Sequence, residues 1–396
     1  MANIWIICLA LGLTAAVWPS TAEALPKFDE SDVFVGGMDD VNTYRIPSMV
    51  CTAKGTVLVF CEARRGSSVD GSPTHLALKR SIGNTGVWMP PSRKGRVPDG
   101  RSRKRNMTWL GMQIMRHTDG KDAYMNPVPV IDRADGAILL LVNRYGKYEN
   151  DESKSQILVF RSTDEGATWS EPIDIAPSIG RKALGPGVGI QTESGKLVVP
   201  TYDGVIYSDD HGKTWQSGGR TTGPISETQV VELADGSLML NTRSQPNRTV
   251  CISTDGGKTW GRPRVDKTLT DSELYGGCQA SLLRYTTAGD VYAKSRLLFA
   301  NPADRRHRFN MTVRISYDEG KTWPVSKLVR EGTGAYSCLT VLPDKTIGLI
   351  YETGPIRGKL VSYYGKLTFA RFNLDWLSDG ADTLADMSAG RASPKP

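Results

Sequence analysis

Histidine and cysteine are both scarce, four and six residues among 396. Neither occurs at the spacing of a metal knuckle. The five cysteines beyond the N-terminal segment, Cys51, Cys61, Cys251, Cys278 and Cys338, are an odd number scattered over the chain, so no disulfide scaffold is indicated. Free, buried thiols are expected; Cys51 and Cys61, on adjacent predicted strands, would pair only if strand register set them opposite each other. Convincing amphipathic helices are missing at any length. Past the N-terminus no apolar run approaches the length needed to cross a bilayer, so no membrane insertion is expected. A negative balance is absent too: the formal charge is +7, which favours an anionic partner without naming it. Part of the excess lies in Arg93, Lys94, Arg96, Arg101, Arg103, Lys104 and Arg105. No aromatic residue is interleaved with these charges as nucleic-acid channels usually require, so a solvated insertion is expected here and no nucleic-acid partner.

What the chain has instead is repetition. The phrase Ser-x-Asp-x-Gly-x-Thr-Trp starts at Ser162, Ser208, Ser253 and Ser316 and ends at Trp169, Trp215, Trp260 and Trp323, while an eroded copy keeps only Ser81 and Trp88. The spacing suits one small antiparallel sheet per copy and is too irregular for a linear solenoid. Asp can accept backbone N–H bonds, Gly allows a positive φ, and Trp can wedge between neighbouring sheets. A second repeat, a turn followed by an apolar run, begins at Lys54-Gly55, Asp135-Gly136, Ser194-Gly195, Asp235-Gly236, Gly289-Asp290 and Asp344-Lys345. Each reads as a hairpin leading into a largely buried strand. Six such units predict an all-β fold, a six-bladed β-propeller of four-stranded antiparallel blades.

Residues 1–24 read as an export leader, because the stretch from Ile4 to Val17 is almost wholly apolar and Ala22-Glu23-Ala24 matches a small-x-small cleavage site, although no Lys or Arg precedes the apolar run. The expected location is therefore secreted or periplasmic. Residues 25–377 would form one propeller domain, and 378–396 a polar, frayed tail.

Ahead of the first hairpin stands Tyr44-Arg45-Ile46-Pro47. With this tripeptide and the repeated Asp-containing turns, the chain from about residue 39 to 372 resembles the sialidases (neuraminidases). That resemblance implies hydrolysis of terminal sialic acid from glycoproteins, glycolipids or oligosaccharides. A sialic acid carries a carboxylate on its anomeric carbon, which calls for several converging guanidinium groups. By resemblance these are Arg45, Arg243 in Asn241-Thr242-Arg243-Ser244, and Arg308, with Arg305 and Arg306 as rivals for the third position. The same carboxylate would repel a carboxylate nucleophile, and sialidases use a tyrosine instead. Tyr336 in Gly334-Ala335-Tyr336-Ser337 matches it, and Glu227 matches the base that such a phenol requires.

The loop 61–71 is implied to bring Arg64 as a further pocket arginine and Asp70 as acid/base; otherwise Asp70-Gly71 is simply a turn dipeptide. Glu352 is expected to hold Arg45 from behind. The tyrosine chemistry needs no metal or cofactor. Departures are the eroded turn at Ser81, Cys338 where an Asp is expected, and a longer, more basic stretch over 89–124, whose Trp109, Met112 and Met115 would either line an N-acyl pocket or pack in the core. A hydrolase of a related ulosonic acid and a non-catalytic glycan-binding propeller remain as alternatives.

Overall fold

The structure is a computed structural model that describes residues 27–82, 107–120, 122–146, 155–180, 183–289, 291–357 and 360–384. The leader 1–24, the basic run 93–105 and Trp88 lie outside the described residues. The chain is all-β with four-stranded antiparallel blades in a propeller arrangement. Three blades follow chain order, among them Thr228–Glu232, Leu238–Thr242, Asn247–Ser253 and Arg264–Thr270. A fourth joins chain segments far apart in sequence: Phe28–Val35 pairs with Lys366–Phe372, which continues to Ile347–Thr353 and Ser337–Val341. Apart from a small two-stranded sheet of Ile356–Arg357 and Leu360–Val361, the remaining strands form one nine-stranded sheet, in which Thr74–Ile82 meets Asp122–Ile131 through a single parallel pair, Thr74 with Ala123. Four separate four-stranded sheets thus stand where six were expected, the rest being merged in this larger sheet.

The leading strands Thr43–Cys51, Asp122–Ile131, Ile190–Gln191, Thr228–Glu232, Ser281–Thr286 and Ser337–Val341 touch one another in cyclic succession, which closes the ring. Burial follows from this layout. Val57–Arg64 and Leu197–Thr201 are buried at every residue because neighbouring sheets cover both faces, and their sequences are accordingly continuous apolar runs. Outer strands such as Arg264–Thr270 are mostly exposed and correspondingly polar.

Each Asp-containing turn joins the third and fourth strands of its blade. Ser162 Oγ accepts from Gly166 N at 3.0 Å, and Asp164 accepts from Thr168 N at 2.9 Å and Thr168 Oγ1 at 2.6 Å. The same bonds recur at Asp210, Asp255 and Asp318. The tryptophans reach the preceding blade: Trp169 meets Phe60 edge-on at 5.7 Å, Trp260 Nε1 donates to Gly219 O at 3.0 Å, and Trp323 Nε1 donates to Asp266 at 3.1 Å.

Several details differ from the sequence reading. The hairpin at Gly289-Asp290 leads into no strand at Val291; the strand starts at Arg296, and Val291 is exposed, because Thr286 Oγ1 donates to Lys294 O and Ser295 Oγ accepts from Ala288 N, so the loop closes later. The segment after Ser378 begins packed: Asp382 is buried and takes both its oxygens to Arg296 at 2.7 Å. All five cysteines are free. Register sets Cys51 opposite Val57 and Cys61 opposite Ala77, so Cys51 and Cys61 do not meet. Trp109, Met112 and Met115 pack against the core, with Trp109 edge-on to Phe369 at 5.6 Å.

Candidate active site

Antiparallel order brings the start of a blade's first strand, the end of its second and the start of its third to one end of the sheet. Every candidate residue sits at that end. Arg45 lies in Thr43–Cys51, Glu227 immediately before Thr228–Glu232, and Tyr336 immediately before Ser337–Val341. Arg64 and Glu352 lie near the ends of second strands, Arg243 just after one, and Arg308 just before the third strand Phe309–Ser316. Blades far apart in sequence thereby contribute to one mouth.

The first strand bends at the tripeptide. Its register shifts between Arg45 and Ser48, and Ile46 has φ 54°, a region that a β-branched residue rarely enters. Glu352 fixes this bend: its carboxylate accepts from Ile46 N at 2.8 Å, from Arg45 Nε at 2.9 Å and from Tyr336 N at 3.3 Å. Arg45 is stacked on Tyr364, 3.8 Å from the ring centre, and its remaining Nη1 lies 3.8 Å from Asp70. Burial works against the Arg45 charge, but Glu352, Tyr364 and Tyr336 together outweigh it and the guanidinium is held more firmly protonated than usual.

At the centre Tyr336 donates its hydroxyl hydrogen to Glu227 Oε1, while Arg243 Nη1 donates to Glu227 Oε2 at 2.6 Å and to the Tyr336 hydroxyl at 2.9 Å. Tyr336 is buried, and the guanidinium carbons of Arg45 and Arg308 lie 5.1 and 5.4 Å from its ring centre. Burial, and then the adjacent Glu227, push the phenol well above its ordinary value, against the pull of Arg243, Arg45 and Arg308. Arg308 donates to Tyr364 Oη at 3.1 Å and to Gly277 O at 2.9 Å; its Nε is buried with no hydrogen-bond partner among the described residues. The rivals Arg305 and Arg306 are exposed, Arg305 in an ion pair with Glu273.

Asp70 is 76% exposed, in contact with Arg64 Nη1 at 2.8 Å. Arg64 is fully buried, its Nε and Nη2 donating to Glu62 at 2.9 and 2.6 Å. Glu62 escaped the sequence reading although strand alternation sets it and Arg64 on one face. Tyr364 and the backbone of Tyr275, Gly276 and Gly277 were also missed, and no motif marks them. Cys338, where an Asp was expected, is buried and accepts from Met49 N at 3.2 Å. The mouth therefore gathers three guanidinium groups around a buried phenol, with a carboxylate bonded to that phenol and a second, exposed carboxylate at the edge that a fourth arginine, Arg64, holds.

Four-stranded antiparallel blades around such a mouth make this a β-propeller of the repeat type with Asp-containing turns. The family described as BNR repeat-like domain matches residues 99–352. A sialidase from Micromonospora viridifaciens is 32% identical, with 89% of this chain aligned to 55% of that protein, so the chain spans little more than half of its length. An exo-alpha-sialidase from Arthroderma benhamiae is 30% identical over 86% of this chain and 85% of its own. Among solved structures, the Hadza microbial sialidase Hz136 superposes with a TM-score of 0.70 at 27% identity, covering 88% of this chain and 69% of that one. The chain belongs to the sialidase family.

Proposed function

We propose that the protein is an exo-α-sialidase that removes terminal sialic acid from glycoproteins, glycolipids or oligosaccharides. The observation that carries this reading is the bonded set Tyr336–Glu227–Arg243 inside a cluster of arginines. In this reading Arg45, Arg243 and Arg308 grip the substrate carboxylate, with Arg64 as a further pocket cation. The Tyr336 oxygen attacks the anomeric carbon while Glu227 takes its proton, and Asp70 protonates the departing glycosidic oxygen. Asp70 then deprotonates the water that breaks the tyrosyl–sugar bond, so two displacements retain configuration. Because the phenol is held well above its ordinary value, its proton leaves during attack and not before it. Once the substrate carboxylate occupies the arginines, their pull on the phenol weakens, which favours this concerted order.

The ring around the pocket counts six blades in the same reading: the nine-stranded sheet divides at the single Thr74 to Ala123 pair, giving one blade around Val57–Arg64 and one around Ile138–Gly146. Export by a leader over 1–24, a single propeller domain over 25–377 and the absence of a nucleic-acid partner belong with it. The mass of the mature N-terminus from an expressing culture tests the leader. The activity is tested with a fluorogenic N-acetylneuraminic acid glycoside beside its deaminated analogue. Rapid release from the first supports the proposal, preference for the second redirects it to a related ulosonic acid, and no release from either, with intact folding, leaves a glycan-binding propeller.

A further inference from the structure

Two of the arginines in the mouth are held by backbone alone on one side. Arg243 Nη2 donates to Tyr275 O and its Nε to Gly276 O at 3.3 Å, and Arg308 Nη2 donates to Gly277 O at 2.9 Å. Three consecutive carbonyls of one loop thus set the separation of two guanidinium groups contributed by different blades. This conformation does not come easily to a chain. Tyr275 has φ 57° and ψ 27°, and Gly277 has φ 100°. A Cβ on Gly277 would stand 3.0 Å from Arg243 Cγ and 3.0 Å from Asp271 Oδ2. Loops of this kind persist only where their surroundings over-determine them.

The surroundings are a fully buried ion pair. Asp271 Oδ1 accepts from Ser272 N and Cys278 N, both at 2.9 Å, and so ties the two ends of the loop together. Its Oδ2 accepts from Arg248 Nη1 at 2.8 Å. Arg248 also donates to Cys278 O at 2.6 Å and to Asn241 Oδ1 at 2.7 Å, which anchors the loop base to the strand Asn247–Ser253 and, through Asn241, to Leu238–Thr242, the strand that Arg243 follows. Neither side chain is exposed, and none of these bonds reaches the pocket. A buried ion pair is in itself weak evidence for stability, since desolvation offsets its attraction, but it can fix geometry.

We propose that Arg248 and Asp271 are positioning residues: they shape the loop 271–278 so that its carbonyls hold Arg243 and Arg308 at the separation a bound carboxylate requires. This deepens the sialidase reading and rests on it. The test compares wild type, Asp271→Asn and Gly277→Ala for turnover of an aryl sialoside, for inhibition by the unsaturated sialic acid analogue (2-deoxy-2,3-didehydro-N-acetylneuraminic acid), and for melting temperature. Asp271→Asn keeps the size of the side chain and removes the charge facing Arg248; Gly277→Ala keeps both charges of the pair and sets a methyl group 3.0 Å from Arg243 Cγ and from Asp271 Oδ2, so it perturbs the loop from its pocket side. Both variants are expected to raise KM and the inhibition constant about tenfold or more, with a smaller change in kcat and an unchanged pH dependence of kcat. In the Gly277→Ala background, adding Arg243→Lys should cost less than it does in wild type, because the added methyl group, 3.0 Å from Arg243 Cγ, has already shifted Arg243 in its seat.

An inhibition constant unchanged in Gly277→Ala overturns the proposal even if Asp271→Asn does not fold. A lower melting temperature with unchanged KM in Asp271→Asn overturns it as well, by showing a purely structural pair. Wild-type protein that neither cleaves the sialoside nor binds the analogue overturns the sialidase reading, and this proposal with it, which separates that failure from the other two.

Discussion

The two ends of the blades are built on opposite plans. At one end the same Ser, Asp, Gly, Thr and Trp recur with the same hydrogen bonds, and each turn is complete within eight residues. At the other end no motif repeats: Arg45, Glu227, Arg243, Arg308, Tyr336 and Glu352 come from four different sheets and complete one another in space. Asp164 finds its partners locally and sits at the surface, whereas Glu227 and Glu352 are buried and bonded to residues far away in the chain. Local satisfaction makes a turn that can be copied, and distributed satisfaction makes a site that cannot.

The largest effect should come from the centre of the unrepeated end. Tyr336→Phe should lower kcat by about a thousandfold or more while the unsaturated analogue still binds, because the arginines are untouched. Wild-type turnover in that variant would break the comparison outright. Arg45→Lys, Arg243→Lys and Arg308→Lys come next, each weakening the analogue by about 2–4 kcal/mol, since an ammonium cannot reproduce the bidentate fork. Titration calorimetry checks this, and undiminished binding by Arg308→Lys would return attention to Arg305 or Arg306.

Asp70→Ala should separate substrates. A natural sialyl-galactoside, whose leaving group needs a proton, should suffer far more than an activated aryl sialoside, and a pre-steady-state burst should emerge with the latter. Equal losses without a burst would assign the proton to another carboxylate. The smallest functional effect belongs to the repeated end. Asp164→Ala should lower the melting temperature by a few degrees with kcat/KM unchanged. Hydrogen bonds from the Thr168 side chain and amide hold Asp164 at about 2, below its ordinary 3.8. A depressed value stabilises the fold above the ordinary pKa, and that contribution is lost as pH falls through about 2, so the melting-temperature gap between variant and wild type should close between pH 4 and pH 2.

This contrast also explains what could be read from the chain. The turns ending at Trp169, Trp215, Trp260 and Trp323 were legible because their cause is local. Five of the six hairpins were legible for the same reason, and the sixth failed because the loop after Thr286 closes through side-chain bonds that no pattern announces. In the site, Arg45 was marked by its tripeptide, and the others by their order in a family resemblance. Tyr364, which stacks on Arg45 and bonds Arg308, carries no mark, because its position depends on how one loop folds across the mouth. Glu62 could have been found from alternation with Arg64, and the loop carbonyls of Tyr275 to Gly277 could not, because backbone has no sequence signature.

The sheet that joins Phe28–Val35 to Lys366–Phe372 sets a timetable for the molecule. Glu352 belongs to that sheet, Tyr336 directly precedes its strand Ser337–Val341, and the Tyr351 hydroxyl donates to Glu30 across the same seam. During synthesis the early strand must wait for nearly all of the remaining chain before it has a partner, a contact order that makes closure slow and late. Until then Tyr336 and Glu352 have no completed blade to hold them, so a partly made chain would possess most of its turns and no working pocket. Activity in this molecule would therefore report that the whole ring has been translated and shut, which a spectroscopic measure of strand content would not.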